Sequence, residues 1–576
     1  MLIDARQCTD ATVADATVCI IGAGAAGITM ALEFERQGID TVVLESGGTR
    51  PDERTMDLYR GENVGIPYEF GDGMRSRFLG GGSNCWGGWC RPLDPEDFES
   101  RDWVPHSGWP FGAGELAPYY DRAHDVLKLG PRNFDIEQWV RAIGRHDVRR
   151  MPLPSGNVLD GMSQFSLPMR FGKYYRRQLK RARHLRVFLH ANVVDIECDA
   201  DVRQVRSVHA RTLTGKRLSV RARYVVLACG GIENARVLLA CNRQRSAGLG
   251  NGQDLVGRFF MDHPRLLSGK LTLKEGWRRN KLYDAMYHYL NRDVRAFGTH
   301  MAAQLTLAHA VQRREHLLNA RVWFASIFPG EETAAAEALV RMKFRLHGKV
   351  DPLHSFFGDL ATIAGEPFNA MNFIAARQLR PVGFLKEMHF QMITQARLQM
   401  ICEPQPDPDS RVTLAEARDA LGMPRARVNW RLGDAVKHTF DRTLALVGQE
   451  LRDAGIADVA LDEPLAGREW PAQLEGTWHH MGTTRMHDSP RQGVVDRHCR
   501  VHDLGNLYVA GSSVFPTAGA NFPTFTLVAL ALRLADHLAK LQASADATAT
   551  TGATAPRADG VTSAPAPAPD AETAGA

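Results

Sequence analysis

A glycine-rich turn near the amino terminus constrains the fold more than any other feature of this sequence. Residues 17–21 (TVCII) form a short apolar run, and residues 22–27 (GAGAAG) follow it directly. Residues 28–37 have the apolar period of a helix, and a second apolar run, residues 41–44, ends at Glu45. This order of strand, glycine turn, helix, strand and acid predicts a Rossmann-like unit that binds a dinucleotide.

Each glycine of the turn has a distinct steric role. Gly22 permits the tight turn, Gly24 lets the backbone approach a pyrophosphate, and Gly27 lets the helix pack closely on the strand. The helix begins near Ala25 and Ala26 with free N–H groups, which favour a bound phosphate. We therefore expect these five residues to bind the nucleotide.

Two later segments favour FAD over NAD. Residues 223–231 (RYVVLACGG) form an apolar strand that runs into glycines, and residues 506–512 (NLYVAGS) repeat this pattern near the other end of the chain. A compact NAD-binding domain would close within about 100–200 residues, so a nucleotide domain spread over the whole chain fits FAD better. Glu45 is placed to accept hydrogen bonds from a ribose diol. The residues predicted to contact the cofactor outside the glycine turn are Glu45, Ser46, Val193, Ala228, Gly230, Gly511 and Ser512.

Composition narrows the class of protein. The chain has 576 residues, of which 44% are hydrophobic and 23% charged, so it is a globular protein long enough for two or more domains. Its formal net charge of +5 indicates no nucleic-acid partner. No apolar run reaches about 18 residues, so no membrane span is predicted, and residues 1–6 lack the pattern of a secretory signal. The nine cysteines are scattered and form no CxxC pair, which favours a cytoplasmic protein without a metal site.

Two regions of the chain carry little signal. Residues 543–576 are rich in Ala, Thr, Pro and Gly and are predicted to be disordered, because they cannot bury a core. Residues 271–397 mix aromatic side chains, Met and Arg without a clear period. Few elements can be predicted there, although substrate specificity is expected to reside in this region.

Ordered motifs along the chain carry a family resemblance. They are the amino-terminal glycine turn, residues 79–93 (LGGGSNCWGGWCRPL), residues 256–264 (VGRFFMDHP), residues 478–486 (WHHMGTTRM) and residues 516–524 (PTAGANFPT). With these motifs the sequence resembles the glucose-methanol-choline (GMC) oxidoreductases. Within them it is most similar to the bacterial branch akin to pyranose oxidase and the flavin subunits of fructose and gluconate dehydrogenases.

This resemblance implies an α/β fold with two domains. The first is a Rossmann-like FAD-binding domain built from discontinuous segments, residues 1–100, 185–265 and 476–542. The second is an α+β substrate-binding domain with a mostly antiparallel sheet and helices, residues 101–184 and 266–475. The disordered tail, residues 543–576, would follow.

The resemblance also implies the catalytic residues. The family's catalytic base corresponds to His479, and a neutral imidazole can take the hydroxyl proton of an alcohol near pH 7. The adjacent His480 is expected to be packed or hydrogen-bonded. A second family position, which binds the substrate oxygen, corresponds to Asn521, but Phe522 stands between Asn521 and Pro523 where related sequences have Asn directly before Pro. Either the loop shifts by one residue and Asn521 reaches the substrate, or Phe522 occupies the substrate-facing position.

Further cofactor contacts follow from the same resemblance. They are expected at Gly81, Ser83, Asn84, Cys85, Trp86, Pro523 and Thr524. Some relatives bind the flavin covalently through a His at the position of Cys85, so non-covalent FAD is predicted here, with a cysteinyl link as the alternative. The start of the helix at Pro523 would stabilise an anionic reduced flavin.

The leading function is therefore FAD-dependent oxidation of a CH–OH group, with a sugar, polyol, glycoside or other alcohol as the small-molecule substrate. The electron acceptor stays open between O2, a quinone and a redox protein, so the sequence does not separate an oxidase from a dehydrogenase. Two alternatives remain. One is an FAD-containing lyase of the same fold without net redox chemistry, and the other is a non-catalytic flavin-binding partner subunit.

Overall fold

The computed structural model describes residues 1–68, 75–166, 169–278, 280–284, 294–327, 330–346, 355–378 and 393–552. Its strands are, in chain order, β1 (Leu2–Asp4), β2 (Thr12–Ile21), β3 (Thr41–Leu44), β4 (Glu62–Asn63), β5 (Trp89–Cys90), β6 (Val158–Phe165), β7 (Leu185–Leu189), β8 (Asn192–Cys198), β9 (Val205–Arg211), β10 (Arg217–Leu227), β11 (Pro264–Leu273), β12 (Arg295–Ala296), β13 (Thr299–Leu307), β14 (Ala320–Ser326), β15 (Gln395–Cys402), β16 (Arg411–Arg418), β17 (Pro424–Asn429), β18 (Ala457–Ala460), β19 (Glu475–Gly476) and β20 (Leu507–Val509).

The α-helices are, in the same order, α1 (Ala25–Arg36), α2 (Glu53–Asp57), α3 (Ala117–Leu127), α4 (Ile136–Ile143), α5 (Phe171–Tyr174), α6 (Arg176–Arg181), α7 (Glu233–Ala240), α8 (His309–Glu315), α9 (Ala334–Leu346), α10 (Phe356–Gly365), α11 (Pro367–Gln378), α12 (Asp434–Asp453) and α13 (Pro523–Gly552). Strands and helices thus alternate in the amino-terminal part, as in an α/β fold.

The first sheet has eight strands in the order β1-β7-β3-β2-β10-β9-β8, and β20 also pairs with β10. Along this order, the neighbouring strands β1, β7, β3, β2 and β10 pair parallel, and so do β10 and β20. At the other edge, β10 pairs with β9 and β9 with β8 in antiparallel fashion. Strand β3 is fully buried, and so are the last four residues of β2. Such continuous apolar strands are typical of a parallel sheet covered on both faces. The predicted α/β fold with a Rossmann-like unit is confirmed.

The second sheet has nine strands, with the main order β18-β11-β15-β14-β13-β6-β5. Its neighbouring strands pair antiparallel throughout the described residues. Helix α12 contributes Val436, Phe440, Val447 and Leu451 to the same apolar core as strands β11 to β15. The second, sheet-rich part of the chain that the sequence predicted is therefore present. The face of this sheet that does not pack against α12 can line a site.

The strands can be compared with the predicted division of the chain. Every strand of the first sheet lies within residues 1–100, 185–265 or 476–542. A third, three-stranded sheet joins β4 to β16 and β17, which lie in a segment predicted to belong to the other domain. The two parts of the chain thus share a small sheet.

The last helix extends further than the sequence predicted. Helix α13 continues to Gly552, whereas a disordered tail was predicted from residue 543, so the first part of that prediction is wrong. Alanine is the strongest helix former, and extending an existing helix avoids the cost of nucleation. Residues 553–576 lie outside the described residues. Within the described part of the chain, no helix has both the length and the apolar character needed to cross a membrane.

Candidate active site

One cavity of about 640 Å³ joins the two sheets. On one side it is lined by the residues that follow β2, β3, β10 and β20, at the carboxyl ends of parallel strands. On the other side it is lined by residues of the second sheet, from β5, β6, β11, β14 and β15. Ligands of open α/β sheets bind at the carboxyl ends of their strands, so this cavity is the candidate site.

The glycine turn is built for close approach of a ligand. Gly22 has a φ of +103°, and a Cβ there would lie 2.6 Å from the carbonyl oxygen of Ala228. A Cβ on Gly27 would lie 2.0 Å from the carbonyl oxygen of Gly22, so the helix and the turn touch through backbone alone. At Gly230 and Gly511 a Cβ would meet no atom within 4 Å, and both residues line the cavity. A side chain at either position would project into the space that a dinucleotide needs.

The amino end of α1 faces the same cavity. Its N-cap is Gly24, which offers no side-chain cap, and Ala25 and Ala26 line the cavity. The first N–H groups of this helix are therefore available to a phosphate, and the helix dipole favours negative charge there. The residues fit the diphosphate of FAD.

Glu45 ties the end of β3 to the glycine turn. One carboxylate oxygen accepts the backbone N–H of Ala23 at 2.9 Å, and the other accepts that of Gly47 at 2.8 Å. Burial raises the pKa of Glu45, while these two N–H groups act in the opposite direction. Oε1 also accepts the hydroxyl of Ser46 at 3.3 Å. Oε2 keeps a second lone pair, so a ribose hydroxyl can still donate to this oxygen.

Most of the predicted cofactor contacts lie along this cavity. They are Gly22, Gly24, Ala25, Ala26, Glu45, Ser46, Gly81, Ser83, Cys85, Trp86, Val193, Ala228, Gly230, Gly511, Ser512, Pro523 and Thr524. Gly27 and Asn84 are not among the lining residues. Gly27 instead contacts the turn behind the cavity, and the amide of Asn84 donates to the carbonyl of Leu79.

His479 lies at the other end of the cavity, after a strained turn. Trp478 has a φ of +61°, which a bulky residue rarely adopts. Asp262 holds this turn, because its carboxylate accepts the backbone N–H of Trp478 at 2.8 Å and that of His479 at 2.7 Å. The same carboxylate accepts the hydroxyl of Thr477 at 3.0 Å. The imidazole of His479 is thereby fixed at the cavity wall.

Nδ1 of His479 faces away from open space. It lies 2.9 Å from Nδ1 of His263 and 2.8 Å from Oγ1 of Thr477. Burial lowers the pKa of His479 well below its usual range, and the neighbouring His263, His480 and Arg265 act in the same direction. His479 is therefore a neutral imidazole at pH 7, which is the form that can accept a proton.

His480 has a different environment. Its ring stacks on Phe260 at 6.0 Å and meets Tyr68 edge-on at the same distance. Burial lowers its pKa to about 3. It also lines the cavity, but its ring is packed between aromatic side chains, as the sequence predicted.

The chain is similar to known flavoproteins in sequence and in fold. A model described as "FAD dependent oxidoreductase" matches residues 17–244, and one described as "GMC oxidoreductase" matches residues 406–531. The chain is 24% identical to the 2-methyl-1,2-propanediol dehydrogenase of Mycolicibacterium austroafricanum, over 92% of this chain and 96% of that protein. It is also 24% identical to the paromamine 6'-oxidase of Streptomyces fradiae, over 91% of each chain.

The crystal structure of a formate oxidase shares the fold, with a TM-score of 0.51 over 92% of this chain and 99% of that chain, at 16% identity. The chain belongs to the GMC oxidoreductase family. It is an FAD-dependent oxidoreductase that acts on CH–OH donors, either a dehydrogenase or an oxidase. The resemblance seen in the sequence motifs is confirmed.

This GMC oxidoreductase departs from the sequence prediction at Asn521. The side chain is 1% exposed and is not among the residues that line the cavity. Its carbonyl oxygen accepts Nε of Arg321 at 3.0 Å, and its amide nitrogen donates to the carbonyl of Pro92 at 2.7 Å. Both ends of the amide are thus hydrogen-bonded inside the protein, and the assignment of Asn521 to the substrate-facing position stays a prediction.

Phe522 takes the cavity-facing position instead. Its ring meets the imidazole of His479 edge-on, with centroids 5.2 Å apart. It also stacks with Trp89 at 5.2 Å and lies 6.3 Å from Trp323. The wall opposite the imidazole is therefore aromatic, where the family pattern places a polar side chain.

Sequence reasoning missed a charged cluster at the cavity. Arg75 and Arg77 line it, and both guanidinium groups contact Glu233, which also pairs with Arg236. Arginines carry a charge at any physiological pH and match phosphate geometry. The signal that could have found them is the closely spaced pair of arginines directly before the glycine segment at residues 79–82.

Asn521 and Phe522 should respond differently to substitution. Asn521→Ala leaves Nε of buried Arg321 without its acceptor, so we expect the free energy of unfolding to fall by about 1–3 kcal/mol. Phe522→Leu keeps an apolar side chain at the wall, so it should change the KM for the substrate more than the stability. Chemical unfolding and steady-state kinetics of the two variants check this. A stable Asn521→Ala variant with a strongly raised KM would show that Asn521 reaches the substrate.

Proposed function

We propose that this protein oxidises a CH–OH group of an alcohol, polyol, sugar or glycoside to a carbonyl, with His479 as the catalytic base. The observation that supports this best is the continuity of the cavity, which runs from the glycine turn to the imidazole. A dinucleotide bound at the first end would place its reactive ring between the two sheets, beside His479. The family relation supplies the cofactor class.

The chemistry needs two transfers from the substrate. The hydroxyl loses a proton and the carbon loses a hydride, so that a C=O bond forms. FAD, when bound, supplies the acceptor of the hydride and its two electrons. Nε2 of His479 takes the proton, because Nδ1 is occupied by His263 and Thr477. General base catalysis of this kind contributes about 10²–10⁴-fold.

The cavity wall suits a substrate with one apolar face. Trp89, Phe165, Trp323 and Phe522 line it near His479. Gln399 supplies a polar group, because its carbonyl oxygen accepts Nε1–H of Trp323 at 2.7 Å, and its amide N–H groups donate to no other described residue. Pockets of this type bind by apolar contact and orient the ligand through a few polar groups. A ring or short chain with several hydroxyls fits this description.

We propose that the flavin is held without a covalent bond. Burial raises the pKa of the Cys85 thiol, which disfavours the reactive thiolate. The thiol also contacts the carbonyl of Gly82 at 3.3 Å. Flavin that stays with the precipitated protein after acid treatment would contradict this proposal.

We further propose the predicted domain division, with residues 1–100, 185–265 and 476–542 as the FAD-binding domain, because these segments supply every strand of the first sheet. Residues 101–184 and 266–475 would form the substrate-binding domain, with the small shared sheet as their junction. A cytoplasmic location is proposed from the scattered cysteines. Expression of each part alone and cell fractionation test these two proposals.

Anaerobic absorption spectroscopy tests the function. We expect the two-peaked spectrum of oxidised flavin, and we expect it to bleach with 2-methyl-1,2-propanediol or with one class in a panel of simple alcohols, polyols, sugars and glycosides. Admitting O2 or adding a quinone afterwards identifies the acceptor. A flavin that dithionite bleaches but no compound of the panel does would favour the lyase or the partner subunit. A protein that binds no FAD would contradict the proposal entirely.

A further inference from the structure

His263 is a buried histidine that contacts the proposed base and is not part of the cavity lining. It is 0% exposed. Its Nε2 lies 2.7 Å from the carbonyl oxygen of Gly519, and its Nδ1 lies 2.9 Å from Nδ1 of His479. His263 therefore links the loop at Gly519 to the proposed base through two hydrogen bonds.

The carbonyl of Gly519 determines where the proton of His263 lies. A carbonyl oxygen can only accept, so Nε2 of His263 must carry the proton. The buried imidazole is neutral, because burial lowers its pKa to about 4. A neutral imidazole has a single N–H group, so Nδ1 of His263 is an acceptor. The 2.9 Å contact then requires that Nδ1 of His479 donates the hydrogen.

Thr477 supports the same position of the proton on His479. Its hydroxyl contacts the Asp262 carboxylate at 3.0 Å and the carbonyl of His263 at 3.2 Å, and both of these groups can only accept. When the hydroxyl proton goes to one of these two acceptors, the oxygen of Thr477 can accept Nδ1–H of His479. Thr477 is therefore compatible with the tautomer that His263 requires.

The direction of the Gly519 carbonyl is itself fixed. Gly519 has a φ of +61°, and a Cβ there would lie 2.4 Å from a carboxylate oxygen of buried Asp97. Only glycine can adopt this conformation at this distance without displacing Asp97. The acceptor that sets the proton of His263 is therefore part of a rigid loop, which continues to Phe522 at the cavity wall.

We propose that His263 and Thr477 are positioning residues that hold His479 in the Nδ1–H tautomer, so that Nε2 presents its lone pair to the cavity. This inference rests on the proposed function only in calling His479 the base. When Nε2 accepts the substrate proton, the charge on the imidazolium faces the Asp262 carboxylate through the hydroxyl of Thr477. No other proton has to move within the cluster.

Two substitutions of His263 separate the tautomer from simple packing. In His263→Gln the amide can donate to Gly519 and its oxygen can accept from His479, so both hydrogen bonds persist. His263→Met has a similar volume but makes neither bond. The measurement is the ¹⁵N spectrum of the FAD-bound protein labelled at histidine, with the His479 signals assigned through His479→Gln. Thermal unfolding and the flavin spectrum confirm that each variant folds.

We expect Nδ1 of His479 to be protonated in the wild type and in His263→Gln, and a mixture of tautomers in His263→Met. With the alcohol that bleaches the wild-type flavin, the rate of flavin reduction should fall about 10- to 100-fold in His263→Met and be largely restored in His263→Gln. An Nε2–H tautomer in the wild type would overturn the proposal, and this result needs no substrate and only His479→Gln for the assignment. An unchanged tautomer in a folded His263→Met protein would overturn it too. If no alcohol reduces the flavin, the spectrum still decides the tautomer, so the two failures are distinguishable.

Discussion

Replacing His479 by Gln should leave a folded, yellow protein in which substrate reduces the flavin about 10²–10⁴-fold more slowly. Glutamine has a similar reach but cannot accept the hydroxyl proton. The backbone N–H of residue 479 still donates to Asp262, so the strained turn at Trp478 is retained. Anaerobic stopped-flow absorbance with the alcohol found in the panel measures this rate.

The matched control is His487→Gln. His487 lies eight positions further along the same motif region and does not line the cavity. Its Nδ1 accepts the backbone N–H of Ser489. The control should therefore reduce its flavin at the wild-type rate. Near-wild-type reduction in His479→Gln would remove His479 from the mechanism and favour another base.

The pH dependence provides a second measure of the same residue. An ordinary histidine is half protonated near pH 6.5, and its protonated form cannot accept a further proton. Burial lowers the pKa of His479 well below that value, so the neutral form persists as the pH falls. The rate of flavin reduction should accordingly be flat from pH 8 to pH 6.5. A rate that halves near pH 6.5 would indicate a solvated base instead.

Local signals predicted the nucleotide end of the site because its determinants lie close together in the sequence. The turn, helix and acid all fall within residues 17–45, and the physical demands on Gly22 and Gly27 involve neighbours in the same unit or the adjacent strand. Steric demands of this kind leave a clear pattern of small residues. The structure places nearly all of the predicted contacts along one cavity.

The aromatic wall could not be predicted from periodicity. Strand β14 is buried at all seven positions and β13 at seven of nine, so neither shows the alternation that marks a half-exposed strand. Trp89, Trp323 and Phe522 come from three distant segments, and only the folded chain brings them together.

The choice between Asn521 and Phe522 as the cavity-facing residue could not be predicted for a related reason. One residue decides whether Asn521 or Phe522 faces the cavity, and that choice depends on Arg321 and Pro92, which lie far away in the sequence. A buried guanidinium needs acceptors for its N–H groups, and the amide of Asn521 is one of them. A motif comparison contains no information about such a partner.

The second large effect is expected at Gly27. A Cβ there would lie 2.0 Å from the carbonyl oxygen of Gly22 and 3.4 Å from the side chain of Ile20. The first contact is with backbone, so no change of rotamer can relieve it, and either α1 or the turn must shift. Overpacking of this kind costs about 1–3 kcal/mol. Because the same turn is predicted to bind the cofactor, we expect the shift to lower the affinity for FAD.

We therefore expect Gly27→Ala to weaken FAD binding by about tenfold or more, which corresponds to about 1.4 kcal/mol. Fluorescence titration of the apoprotein with FAD measures this, and the ratio of flavin to protein absorbance after purification gives an independent value. The control is Gly112→Ala, because Gly112 has a φ of −85° and a Cβ there would meet no atom within 4 Å. It should bind FAD as the wild type does.

The unfolding temperature separates the two ways in which Gly27→Ala can act. FAD stabilises only the folded protein, so the rise in melting temperature on adding FAD reports its affinity. If the substitution acts on the turn, this rise shrinks while the apoprotein melts close to the wild type. If α1 is displaced throughout its length, the apoprotein itself melts lower. Unchanged FAD affinity in Gly27→Ala would mean that the turn can open without losing its ligand, and the steric account of the glycine pattern would then be wrong.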